Sequence, residues 1–239
     1  GMTTYYVANN SADKSGVSLA GFKFTLTGTA ADGSSVSMSA TTDASGTARF
    51  IDVPYGSGYA LKEVLTTAQK AIWEALSDQS VTVSDATLDA SPYEYILKEF
   101  VNNPKSGTIT ITKELPSDST SAKSGFSFTV TSISTTGGYA YTATGTTSED
   151  GRLSFSNVPY GTYSIKENLT SAQAKIWKGK SAESVTVSAS TEDVTYRLEN
   201  EPKTGPVTVV KTSEDGTVSG FSFTLSGTKA AGGSVSITK

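Results

Sequence analysis

An all-β chain of tandem sandwiches is what this sequence predicts, on three observations. Thr, Ser, Gly, Val, Tyr and Ala dominate and charged residues make up only 18%, a usage that favours short strands joined by turns. Apolar residues alternate with polar ones in stretches such as GTITITK at 107–113 and YSIKE at 163–167, the period of a half-buried strand. The third observation is repetition. GFKFTL at 21–26 returns as GFSFTV at 125–130 and GFSFTL at 220–225, and TTDASGTARFIDVPYG at 41–56 returns as TTSEDGRLSFSNVPYG at 146–161.

Self-similarity sets the organisation. Two complete units are expected at 2–103 and 107–201, and a third, with only its opening strands, at 206–239. Each complete unit offers roughly seven short alternating segments with turn signals between them, such as Asp150-Gly151 and Gly137-Gly138, an antiparallel sandwich pattern. LTTAQKAIW at 65–73 and LTSAQAKIW at 169–177 break the alternation and read as short helical turns that tuck Trp73 and Trp177 onto the sandwich. NNPKSG and NEPKTG read as short, proline-restricted linkers that set neighbouring units end to end as a stiff rod.

Composition removes several classes of function. Cysteine and histidine are absent, so no disulfide, thiol nucleophile, zinc site or Ser-His-Asp triad can be built, and no metal or cofactor is expected. The net charge of -4 is spread without runs, which leaves no footprint for nucleic acid or an anionic membrane. No window approaches the ~18 apolar residues of a spanning helix. Gly1 before Met2 reads as a tag-cleavage scar, so signal peptide and anchor are expected to lie outside this fragment. Turnover enzymology would need something like paired carboxylates in a cleft, and nothing singles out such a pair.

A glutamate ends an apolar face twice: Tyr163, Ile165, Glu167 and, earlier, Tyr59, Leu61, Glu63. Burying an unpaired carboxylate costs several kcal/mol, so partners are required. On the second unit's first strand Lys113 shares a face with Ile109 and Ile111. On its last strand Asn200 shares one with Val194, Tyr196 and Leu198. Three polar residues therefore each terminate an apolar face, and a lysine almost never points into a core unpaired.

In this ordered set the sequence resembles the B-type domains of the collagen adhesin (Cna B) and of sortase-assembled pilins of Gram-positive bacteria. The motifs are Lys113 closing the first strand, GFSF at 125–128, Thr147 with Gly151, Phe155 and Gly161, Tyr163 with Glu167, and Asn200. The resemblance covers essentially the whole chain. It implies Greek-key, prealbumin-like sandwiches and a spontaneous isopeptide cross-link between Lys113 and Asn200, promoted by buried Glu167. It further implies a structural stalk or pilin-like spacer of an extracellular, cell-wall-anchored adhesin. Its partners would be neighbouring repeats, with host matrix protein or glycan engaged through another domain. The alternative is that one unit itself binds matrix protein or glycan through exposed tyrosines such as Tyr5, Tyr6, Tyr93, Tyr139 and Tyr141, although cross-strand packing explains tyrosines more often.

The chemistry asked of the trio stems from its surroundings. An apolar setting disfavours the lysine ammonium and frees the amine as a nucleophile. Glu167, equally desolvated, is expected to stay neutral, polarise the Asn200 carboxamide and carry protons as ammonia leaves. Turnover is single and autocatalytic, so the chain is not expected to be an enzyme.

The other units depart from the pattern. The first keeps Glu63 and Asn102, with Asn103 competing on parity, but ungapped counting from the GF motif puts Asn9 where the lysine belongs. Lys14 falls in a loop, and Lys98 faces inward only if the last strand has no bulge, so no cross-link is expected there. In the third unit Lys211 closes VTVVK, but the counterparts of Glu167 and Asn200 would lie beyond Lys239, so it should stay unreacted unless another molecule supplies them. EPKTG at 201–205, Lys105 and Lys203 weakly resemble sorting-signal and pilin-linking features and read as plain linker.

Overall fold

The computed structural model describes residues 4–9, 17–85, 95–138 and 140–239. They form two compact units, one built around residues 1–106 and the other around those from 107 on. The first contains β1 (Thr4–Asn9), β2 (Lys23–Thr29), β3 (Ser35–Thr41), β4 (Thr47–Ile51), β5 (Gly56–Val64), α1 (Thr67–Ile72), β6 (Gln79–Val83) and β7 (Tyr95–Phe100). A three-stranded sheet in the order β4-β1-β7 faces a four-stranded sheet in the order β3-β2-β5-β6.

The second unit repeats this plan with β8 (Ser106–Glu114), β9 (Ser127–Thr135), β10 (Thr142–Thr146), β11 (Arg152–Pro159), β12 (Gly161–Asn168), α2 (Ser171–Ile176), β13 (Glu183–Val187) and β14 (Asp193–Glu199). Its sheets run β11-β8-β14 and β10-β9-β12-β13.

Alternation does what the sequence predicts. Tyr163 and Ile165 on β12, Ile109 and Ile111 on β8, Phe128 and Val130 on β9, and Leu198 on β14 are all buried, while the residues between them turn away. The first unit buries Tyr59, Leu61, Phe24, Leu26, Phe50 and Phe100 in the same way.

The antiparallel pattern expected is broken at one place. The first and last strands of each unit are parallel neighbours, with Lys113 opposite Leu198 on β8 and β14 and Asn9 opposite Phe100 on β1 and β7. The long route through five intervening strands lets the chain return in its starting direction, which no local period records.

The two helical segments are single turns with matching caps. Thr170 accepts the Gln173 backbone N–H and Gln173 Oε1 accepts that of Thr170, a reciprocal box repeated by Thr66 and Gln69. Gln173 Nε2 also donates to the Gly125 carbonyl, tying the turn to the start of the GFSF strand. Trp177 is thereby buried and bridges Pro202, as Trp73 bridges Pro104. The segment read as linker thus belongs to its sandwich: Lys203 N–H donates to Ile176 O and Lys178 N–H to Glu201 O. This clamp holds Asn200 between the end of β14 and the tryptophan.

The third unit forms a hairpin of β15 (Thr224–Thr228) and β16 (Ser234–Thr238). VTVVK, expected as its first strand, is not one. In the complete units that strand pairs with the fourth and last strands, β11 and β14 in the second unit, and residues 206–239 contain no counterpart of either. Phe221, Phe223, Leu225 and Ile237 remain 40–48% exposed.

Gly151 is tied to the geometry of β8. Its φ is +80°, its carbonyl accepts the Lys113 N–H at 2.7 Å, and a Cβ at this position would lie 2.7 Å from the Lys113 carbonyl oxygen. Gly151→Ala is therefore expected to destabilise the second unit by about 1–3 kcal/mol. Denaturant unfolding should show a lower midpoint at unchanged slope, and an unmoved midpoint would contradict the assignment.

Candidate functional site

Lys113, Glu167 and Asn200 meet inside the second sandwich. β8 delivers Lys113, β12 delivers Glu167, and the residue after β14 is Asn200. Lys113 and Asn200 are 0% exposed and Glu167 is 7% exposed. The site is closed to bulk water.

Glu167 Oε1 is the shared point. Lys113 Nζ lies 3.2 Å from it, and Asn200 Nδ2 donates to the same oxygen at 3.2 Å. The Lys113 ammonium also sits 4.6 Å above the centroid of the Phe126 ring. Burial pushes the Lys113 amine down from 10.5 to about 8, and the Glu167 carboxylate beside it opposes that shift. Glu167 Oε2 and Asn200 Oδ1 are buried without a hydrogen-bond partner among the described residues. Orphaned acceptors of this kind are costly, about 1–3 kcal/mol each, and mark a place where different bonding is available.

Two supports escaped sequence reasoning. Thr147 is buried, accepts the Phe126 N–H at 3.1 Å and donates to Lys123 O at 2.6 Å, which seats the phenylalanine under the lysine. Thr42 holds Phe22 in the same way in the first unit. The repeated Thr-Thr and Gly-Phe pairs were the available signal, and each was visible only as a motif without a role.

In the first unit Asn102 Nδ2 donates to Glu63 Oε1 at 2.8 Å, and both residues are buried. Asn103 is exposed, so Asn102 is the counterpart of Asn200. The β1–β7 register places Asn9 opposite Phe100, as Lys113 is opposite Leu198. Lys98 is half-buried on the face of Phe100 but four residues from Asn102 along the strand, about 13 Å away. Lys14 lies outside the described residues.

Lys211 is half-buried in the third unit, with Nζ 4.6 Å from the Phe221 centroid and donating to Thr212 O at 2.8 Å. Lys203 Nζ donates to Ala174 O at 2.5 Å and so closes the α2 turn. Tyr141, expected on the surface, is half-buried and packs edge-on against Tyr163 at 5.6 Å. Tyr93, Tyr139 and the side chains of Tyr5 and Tyr6 lie outside the described residues.

A family model described as the SpaA prealbumin-like fold domain matches residues 7–99 and 107–202. No curated protein matches the chain. Among solved structures, the TIE protein of Bacillus anthracis is similar at 19% identity and a TM-score of 0.51, over 84% of this chain and 34% of its own. The pilus adhesin SpaC of Lactobacillus rhamnosus GG gives 13% identity and a TM-score of 0.48, over 84% of this chain and 31% of that one. The minor pilin of Streptococcus agalactiae gives 16% and 0.37, over 87% and 100%. The chain spans about a third of the TIE protein and 63% of a streptococcal ancillary pilin. At these identities the likeness concerns fold.

The depressed lysine makes the site sensitive to pH while its amine is free. In an Asn200→Ala chain, the folded value of about 8 lies below the 10.5 of the open chain, so between these the unfolded state binds more protons. Stability of the second unit should rise as pH goes from about 8 to 10 and be unaffected by this group below 8. A profile that falls across that window in chemical denaturation would refute the assignment.

Proposed function

From the premise that the chain belongs to the SpaA prealbumin-like fold domain family, over residues 7–99 and 107–202, we propose that it is a load-bearing stretch of an extracellular, cell-wall-anchored surface protein. In this reading its second unit is sealed by an amide bond between Lys113 and Asn200. The observation that carries the reading is that amine and carboxamide both lie 3.2 Å from one buried glutamate oxygen.

The bond forms in balanced steps. The ammonium of Lys113 passes a proton to Glu167, leaving a neutral amine beside a neutral acid. Burial, which already pushes the lysine down to about 8, favours that exchange. Half a turn of the Asn200 carboxamide exchanges Nδ2 and Oδ1, so the Glu167 acid donates to the carbonyl oxygen and polarises Cγ. The amine then attacks Cγ. One proton leaves the attacking nitrogen and one reaches the departing nitrogen, both through Glu167, and ammonia is released. A lysine Nζ–Cγ bond replaces the Cγ–Nδ2 bond, and the buried charges are gone. Holding both groups on adjoining strands supplies the proximity contribution, which reaches about 7–11 kcal/mol in well-oriented systems.

Joining first strand to last closes a loop of roughly 88 residues and constrains the unfolded chain by about 4–5 kcal/mol on the chain-entropy scale. The larger consequence is mechanical. Tension entering at β8 and leaving after β14 crosses a covalent bond, and the sheets between carry none of it. A chain without cysteine has no disulfide to serve this purpose.

Intact-mass measurement on the denatured chain should fall short of the sequence mass by one ammonia. Proteolysis should release a branched peptide joining Lys113 to Asn200, with Lys211 unmodified. Glu167→Ala should restore the full mass and remove the branch. Full mass in the unaltered chain would end the proposal.

A further inference from the structure

We propose that the loop between β8 and β9 is a socket for the first hairpin turn of the repeat that follows, and that seating this turn orders the third unit's hairpin ahead of the rest of its sandwich. The inference is independent of the Lys113–Asn200 bond and stands on a different surface.

Loop and hairpin belong to the same compact body. Ala231, at the tip of the β15–β16 turn, is 5% exposed, and its carbonyl receives two hydroxyls, Ser121 Oγ at 3.0 Å and Ser119 Oγ. The socket is itself braced: Ser119 Oγ accepts the Ser121 N–H, Ser119 N–H donates to Pro116 O, and Thr147 Oγ1 donates to Lys123 O. Lys229 Nζ pairs with Asp118. Gly232 and Gly233, at φ of +84° and +86°, lie against the loop backbone. A Cβ on Gly233 would be 2.5 Å from the Asp118 carbonyl oxygen, and one on Gly232 would collide with the Thr120 nitrogen.

The first unit makes the same turn without these features. Ala30 N–H donates to Ser34 O and Gly33 N–H to Ala30 O, as Lys229 N–H does to Gly233 O and Gly232 N–H to Lys229 O. Yet Ala30 stands in place of Lys229, Asp32 in place of Ala231 and Ser34 in place of Gly233. Asp32, Gly33 and Ser34 are exposed, and a Cβ on Gly33 would meet nothing. The cation, the small tip residue and the second glycine are therefore not requirements of the turn. They match the socket.

A two-stranded hairpin is marginal in water by itself. This one buries little of its own apolar surface, with Leu225 and Ile237 47% and 48% exposed. An exposed ion pair adds little, so Lys229 sets the register and the hydroxyl bonds to a buried carbonyl supply the hold. In a chain of repeats this contact is the coupling between nearest neighbours. A finished sandwich offers its loop, and the next repeat starts from its most local element before distant strands must be brought in.

Hydrogen exchange on the whole chain tests this. Amides that bond across β15 and β16 should be protected in the native chain. In an Asp118→Lys/Ser119→Ala/Ser121→Ala chain they should exchange about tenfold faster or more, while those of β8 and β14 keep their native rates. Unchanged exchange in β15 and β16, or native strands that already exchange as open peptide, overturns the proposal. Acceleration that spreads to β8 and β14 does so too, because the loop would then be serving its own sandwich.

Discussion

Lys113 is taken wholly out of water, and much of the second unit is arranged around that fact. A lone ammonium in such a place would cost many kcal/mol, far more than the net stability of a small domain. Glu167 answers part of the problem and raises another, because a buried ion pair rarely returns its full desolvation penalty. The Phe126 face, seated by Thr147, adds attraction on one side, and the Gly151 carbonyl fixes the strand on the other. What remains unsatisfied among the described residues of this site is specific: the lysine nitrogen, one carboxylate oxygen and one carboxamide oxygen, all buried. A site tuned only for stability would give each of them a partner. In the reaction we propose, proton transfer between lysine and glutamate removes both charges, and that is also the step that makes the amine a nucleophile.

Much of this was legible in the sequence because period two is a strong code. Tyr163, Ile165 and Glu167 declared a common face without any knowledge of neighbours, and so did Ile109, Ile111 and Lys113. Repetition then turned weak motifs into aligned ones and placed Asn9 against Lys113, a pairing that the strand registers reproduce. Long-range order was not legible. Whether first and last strands run parallel depends on the path of everything between them, and no window of residues contains that path.

The misreadings share a cause. Proline in NEPKTG suggested a spacer, yet Pro202 bridges Trp177 and the flanking backbone groups bond to the α2 turn. Tyr141 suggested exposure, yet the ring of Tyr163 receives it. VTVVK has every local mark of a strand and is not one, since β propensity expresses fit to a neighbour and here the neighbours are missing. In each case the residue type was read correctly and the partner, which lies far along the chain, decided the outcome.

Comparing the two complete units separates what the fold needs from what the chemistry needs. Both keep the glutamate, the asparagine after the last strand, the capped turn, the tryptophan bridge and the threonine under the Gly-Phe strand. A sandwich of this kind therefore holds the acid–amide pair whether lysine or asparagine ends its first strand. Asn9 shows the reverse point: a lysine at this register position is dispensable to the fold, because the unit with asparagine there assembles the same two sheets in the same order. A residue whose burial is expensive and whose absence leaves the architecture intact is retained for something other than architecture. In the second unit the proposed use is a covalent route between its first and last strands, β8 and β14, which the buried Lys113 and Asn200 bring within reach of one glutamate oxygen.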